Sequence, residues 1–318
     1  MESSRARRRR RARPSRCRAL LRTALAVVAV GGVTAGGTVY VTARAHSGAA
    51  AVSSAAASSA TSSAGAGEEA SVEPVTQPAV DRDALLSAAM AKVAVPPGAT
   101  VSAAVLAVDS GESAVYGDAA FDTASIVKVD ILAALLLQAQ DAGRRLTADE
   151  RAYAAKMIEN SDNASATALW HTIGRAAGLD AANERFGLTG TFGGDGELWG
   201  LTRTTAADQL VLLQQVFGAD SELSATSRTY VQGLMKAVEP DQRWGVSVAA
   251  VGDSPALKNG WLPRSTTGLW DVNSIGRVTV DGADYLVAVL SNGTASQARG
   301  ISLVEAAAQA AVSAFGDT

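Results

Sequence analysis

From residue 125 to 142 the chain is apolar nearly all the way round, with Gly143 just past the end, which predicts a helix buried on every side rather than a surface helix with one apolar stripe. Upstream, 81–93 has helical spacing that begins at an Asp and stops at Pro96-Pro97-Gly98. Residues 100–108 alternate β-branched and small apolar side chains, Asp109-Ser110-Gly111-Glu112 is a turn, and 113–116 returns as the second arm of a hairpin. Helical patterns continue over 149–159, 163–173, 178–186, 204–217 and 222–237. Strand signals then resume at 255–262, 269–280 and 285–291, with Asp281-Gly282 as one of the joining turns, and 301–315 is a closing helix. Strands at both ends of this pattern, with helices between them, predict an α+β fold. One antiparallel sheet is built from both chain ends and flanked by helices, with an all-α subdomain inserted.

Two stretches precede the pattern. Residues 5–22 are strongly basic, 23–41 are Ala/Val/Gly-rich and uncharged, and Ala43-Arg44-Ala45 has small-x-small form, so 1–45 reads as an export segment. It is either cleaved there or kept as a membrane anchor, because 19 uncharged residues approach the length that spans a bilayer and the arginines hold the N-terminus inside. Residues 46–80 are mostly Ala, Ser, Thr and Gly, too poor in large apolar side chains to offset ordering entropy, and predict a disordered linker. Residues 81–318 are then one folded domain, secreted or held at the outer face of the cytoplasmic membrane. Cys17 lies before the apolar run, so the exported part contains no cysteine and forms no internal disulfide. Ten arginines before residue 23 mask an acidic body: the remainder carries 18 basic against 30 acidic residues, which argues against nucleic acid as a ligand.

Three short sequences follow one another in the folded part: Ser125-Ile126-Val127-Lys128, Ser161-Asp162-Asn163 and Lys258-Asn259-Gly260. Together they supply a nucleophile, a proton relay and an anion anchor. Ser125 and Lys128 stand three apart at a helix start and project from one face, and a lysine buried in so apolar a helix has a depressed pKa and accepts the hydroxyl proton. The free N–H groups of that helix start favour negative charge, with Asp122 or Thr123 as the N-cap. Ser161-Asp162-Asn163 joins two helices. It is either a cap, or the place where Ser161 passes a proton to a leaving amine while Asn163 holds Lys128 and the substrate amide. On the strand at 255–262, alternation points Lys258 and Gly260 to one face; Gly260 leaves room for a substrate backbone and the Trp261 N–H is a second oxyanion donor. A lysine facing solvent is the alternative.

In these motifs and their order, residues 81–318 resemble a class A β-lactamase, within the wider penicillin-recognising serine hydrolases. The resemblance implies Ser125 as nucleophile, Lys128 as base, Ser161 as proton relay and Asn163 as orienter of lysine and substrate. It also implies the backbone N–H groups of Ser125 and Trp261 as oxyanion donors, and Lys258, Asn259 and Gly260 as substrate-binding, with Lys258 on a substrate carboxylate. The chain departs from the family in three places. The stretch from Ser125 to Ser161 is shorter, Asn259 stands where the family has Thr or Ser, and the Glu-x-x-Leu-Asn loop that activates the deacylating water has no match before Thr204. Glu197 is the only glutamate there and the one candidate deacylation base.

Only His46 and His171 exist, so a zinc site and a Ser-His-Asp triad are both disfavoured, and His171 reads as a helix-surface residue. Gly193-Gly194-Asp195-Gly196 reads as a mobile loop, and no cofactor signature is present. The expectation is a metal-free, cofactor-free, monomeric serine hydrolase that acylates itself on β-lactams or related amides. The alternatives are a D,D-peptidase or esterase acting on peptidoglycan-derived material, and a binding or sensing module that acylates once.

Overall fold

The computed structural model describes residues 80–252 and 254–316; the export segment, and the linker up to residue 79, with Cys17 and His46, lie outside them. Thr100–Ala107 (β1) turns back as Ser113–Tyr116 (β2). Along its whole length β1 also pairs antiparallel with Ala283–Thr294 (β7), close to the other end of the chain. Trp270–Val280 (β6) and Ala256–Pro263 (β5) complete a five-stranded sheet in the order β2-β1-β7-β6-β5. The antiparallel sheet drawn from both chain ends is therefore the observed one. Residues 101–106 of β1 are buried without alternation, as in a strand covered on both faces. Arg82–Met90 (α1) and Gln297–Ser313 (α8) pack together beside it. Gly300 of α8 lies against Val272 of β6, and the next residue of that strand, Asn273, faces the opposite side.

Between β2 and β5 runs the helical block: Val127–Asp141 (α2), Ala148–Glu159 (α3), Asn163–Ile173 (α4), Arg175–Phe186 (α5), Ala206–Phe217 (α6) and Ala225–Lys236 (α7). Twelve of the 15 residues of α2 are buried, so the all-round apolar pattern did mark a central helix. Side-chain caps set several helix starts. Thr147 and Glu150 form a reciprocal capping box on α3, Asp162 accepts from the Ser165 N–H at 2.7 Å on α4, and Ser296 starts α8 earlier than the expected residue 301.

Two expectations are refined. The helix read from residue 204 begins at Ala206, because Thr205 caps it and Arg203–Thr204 (β4) instead pairs with Phe121–Asp122 (β3). Of the two cap candidates, Asp122 is taken by Arg203 and Arg264, while Thr123 does occupy the N-cap position but makes no side-chain cap hydrogen bond, its hydroxyl being buried without a partner among the described residues. The helix enters instead through a 3-10 turn, Ala124–Ile126, which continues into α2. Among the described residues, no helix is long and apolar enough to cross a membrane.

Candidate active site

Ser125 sits in that 3-10 turn, half-buried, between β3 and the buried helix. The turn is held in place from the sheet. Asn273 donates to the carbonyls of Asp122 and Thr123 at 2.9 and 3.0 Å, and accepts from the Ser291 N–H. Ala124, directly before the serine, has φ +48, and Ser161 has φ +56, a left-handed conformation that costs a residue with a side chain about 1–3 kcal/mol. Two of the four such non-glycine residues among those described thus bracket the candidate chemistry, and no pattern of residue types announced either.

The three motifs converge. The Lys128 amine, fully buried, donates to the Ser161 carbonyl at 2.6 Å, to Ser161 Oγ at 3.1 Å and to Asn163 Oδ1 at 2.8 Å. From the other side the fully buried Lys258 donates to the same Ser161 Oγ at 2.9 Å and to the Asn259 carbonyl at 2.9 Å. One hydroxyl thus joins two lysines. Burial pushes the Lys128 amine down to about 7, against the Asp162 carboxylate, which raises it. Burial, and after it the charge of Lys128, drives Lys258 well below the ordinary lysine value. Among the described residues no hydrogen bond joins Lys128 to Ser125; the amine is turned toward Ser161 and Asn163.

The strand β5 departs from expectation at two positions. Gly260 faces the serine turn itself: a Cβ there would lie 2.7 Å from the Ser125 nitrogen and 2.8 Å from the Thr123 carbonyl. The missing side chain lets β5 dock against the nucleophile turn, so its open face is taken by protein. Asn259 is buried, and its amide donates to the carbonyls of Gln242 and Trp244 at 2.7 and 2.9 Å. It clamps the segment that runs into the 3-10 turn Gly245–Ala249 and has no N–H left for a substrate. β5 is an edge strand, so alternate N–H groups along it have no neighbouring strand, and Trp261 and Ser125 line one cleft of about 610 Å³. Trp244 packs against Trp261, with ring centroids 6.0 Å apart.

The facing wall is the segment around the 3-10 turn Trp199–Leu201. The Trp199 ring centroid lies 5.1 Å from Lys128 Nζ, and its Nε1 donates to Thr167 Oγ1 at 3.1 Å. Glu197 borders the cleft, but its carboxylate is paired with His171 at 2.6 Å and Arg175 at 2.9 Å. The His171 hydrogen bond, ahead of the nearby charges, lowers its pKa, so it is a weaker base than an ordinary glutamate and is aimed at α4 and α5. The candidate deacylation base is thus engaged by two side chains at the edge of the cleft. The glycine loop is not loose either: the Gly193 and Gly194 N–H groups donate to Asp180 and Thr202, and the Gly196 carbonyl accepts from Trp170. Trp199, Asn273 and Arg264 went unread in the sequence, since their partners lie far away along the chain. Arg264, beyond β5, lines the cleft while its Nη1 holds Asp122 and, at 3.7 Å, Asp271. Burial raises the Asp271 carboxyl to about 6, with Arg264 opposing.

Residues 138–315 match the model of the beta-lactamase enzyme family. That span includes Ser161, Asn163 and Lys258. No curated protein matches by sequence. Among solved structures, PBP-A is similar with a TM-score of 0.63 at 21% identity, over 73% of this chain and 96% of that one. The TLA-3 extended-spectrum beta-lactamase gives 0.64 at 13%, over 74% and 98%. A class A beta-lactamase from Bacteroides cellulosilyticus gives 0.62 at 16%, over 74% and 98%. At these identities the likenesses establish the fold.

Proposed function

Because the chain belongs to the beta-lactamase enzyme family, we propose that it is a serine hydrolase that forms an acyl-enzyme on Ser125 with β-lactams or related amides. The observation that carries this reading is the buried pair of lysines meeting at Ser161, with Lys128 one helical turn from Ser125 and lowered to about 7. A lysine so lowered is partly neutral near neutral pH and serves as a base. The Ser125 oxygen attacks the carbonyl carbon as its proton moves to Lys128. The backbone N–H groups of Ser125 and Trp261 take the oxyanion. The proton then travels through Ser161 to the leaving nitrogen as the C–N bond breaks, giving an ester on Ser125 and an amine. Asn163 holds Lys128 in register for both transfers. The reading includes delivery beyond the cytoplasmic membrane, on the strength of the basic and then apolar leading segment.

Turnover is slow in this reading. Hydrolysis of the ester needs a positioned water and a base; Glu197 is tied to His171 and Arg175, and the Trp199 ring occupies the space beside Lys128. A penicillin incubated with the protein should add its full mass, and the adduct should outlast a single catalytic cycle of an efficient β-lactamase. Ser125→Ala should abolish the adduct while the fold melts normally. An adduct that still forms on Ser125→Ala, followed by intact mass over time, would overturn the assignment.

A further inference from the structure

We propose that the molecule Ser125 attacks is uncharged around its scissile carbonyl and carries an apolar acyl group, so that the cleft selects neutral esters or amides and gains nothing from a carboxylate. The proposal deepens the reading of Ser125 as nucleophile and rests on it. The motif on β5 has no cation to offer. Lys258 is fully buried behind the cleft lining, and its burial drives the amine well below the ordinary lysine value. A neutral amine has two N–H groups, and Lys258 gives hydrogen bonds to Ser161 Oγ and to the Asn259 carbonyl, both at 2.9 Å. The Asn259 amide donates to two backbone carbonyls. Both polar side chains of the motif are thus spent inside the protein.

The charges that border the cleft are matched. Arg264, the basic residue of the lining, holds Asp122 and Asp271; Arg203 also pairs with Asp122; and Glu197 pairs with Arg175 and His171. Three arginines therefore meet three carboxylates, and an arriving anion would share a cation already taken. The acidic body beyond residue 22 gives it no long-range attraction either. What the lining offers instead is apolar surface. Leu198, 54% exposed, stands with Trp199 and Leu201 on one wall, and Trp261 and Leu262 stand on the other. A lone exposed leucine would mean little, but these five side chains enclose one cleft of about 610 Å³, a size that takes a small molecule. Trp244 backs Trp261, with ring centroids 6.0 Å apart, and keeps that wall apolar. An uncharged acyl group seated there gains from burial, whereas a carboxylate loses water without finding an unmatched cation.

The test measures binding without asking Ser125 to react. The full chain carrying Ser125→Ala is titrated with benzylpenicillin and with its methyl ester, and tryptophan fluorescence reports occupancy because Trp199 and Trp261 border the cleft. The ester should bind at least as tightly as the acid, to within about threefold, far from the tenfold or more that a charge-assisted contact gives. Leu198→Asn in the same background should weaken both ligands by about threefold or more, as expected when about one methylene of apolar contact is lost. Arg264→Gln should leave the ratio of the two constants where it was. Melting curves identify a variant that has not folded, and the exposed Leu198 makes its substitution the safe one. Three results would each overturn the proposal: a tenfold preference for the acid, no binding of either compound, or constants that Leu198→Asn leaves unchanged. Failure of the wild-type chain to acylate with either compound would strike the reading of Ser125 alone and leave this comparison standing.

Discussion

On one wall of the cleft Lys128, Lys258 and Asn259 are fully enclosed and every amine or amide there has a protein acceptor, while on the other Glu197 is 52% exposed and Leu198 54%. The first wall is held by the sheet, through Asn273 and Gly260, and by the buried helix α2. The second is held by the Glu197 pairs with His171 and Arg175, which lie in solvent and are screened by it, and by a few loop hydrogen bonds. The difference separates the two halves of a hydrolytic cycle. In the proposed reading the two lysines that acylation draws on lie on the enclosed wall, and deacylation is left to the exposed one.

Substitutions test that contrast in descending order of effect. Lys128→Ala should slow penicillin acylation by about 10²- to 10⁴-fold, the usual loss of a general base. In the wild type the acylation rate should climb with pH up to about 7 and level off above it, because only the neutral amine accepts the proton. A flat profile would assign Lys128 a structural part only. Gly260→Ala comes next. Its Cβ forces β5 away from the Ser125 and Thr123 backbone, so overpacking should cost about 1–3 kcal/mol in a melting experiment and acylation should fall with it. Wild-type rates with an unshifted melting point would mean that the two elements part easily.

Asp130 offers a smaller effect with a defined sign. Burial raises this carboxyl to about 7, with the Asn183 hydrogen bond opposing, so the folded chain keeps a proton that the unfolded chain loses near 4. Its contribution makes stability fall as pH rises from about 4 to about 7 and remain low beyond. Asp130→Asn should therefore gain most over the wild type in melting temperature at pH 8 and least at pH 4; the reverse trend would show that the acid is ionised and paired. At the small end, Glu197→Gln should change the lifetime of a penicillin adduct by less than about twofold. Rapid turnover by the wild type, lost in that variant, would erase the contrast between the walls.

Much of the architecture was legible because it is carried by long, strongly patterned segments. The all-apolar run of α2, the β1–β2 hairpin and the late strands each announce themselves over many residues. The Ser125, Ser161 and Lys258 motifs were legible for another reason, since Lys and Asn are scarce in the chain and the three motifs follow one another in order. What escaped is set by contacts rather than by pattern. The β3–β4 ladder has two residues a side, too few for any periodicity. Asn259 was expected to face substrate, but its orientation is decided by two carbonyls in a segment that no propensity would have put there. The pairing of Glu197, read as a candidate base, could not be seen because neither His171 nor Arg175 is its neighbour in sequence.

The sheet drawn from both chain ends also fixes when the protein can become reactive. During synthesis Ser125 and Lys128 emerge together, yet Lys258 follows far behind, and until β7 arrives β1 has β2 as its sole strand partner. Pairing of such distant segments is slow and has to wait for nearly the whole domain. A nascent or truncated chain carries the nucleophile but neither the second lysine nor the strand that packs against the serine turn. On the proposed reading, acylation competence is therefore a late property of the finished domain, and labelling by a penicillin would report completed folding as much as chemistry.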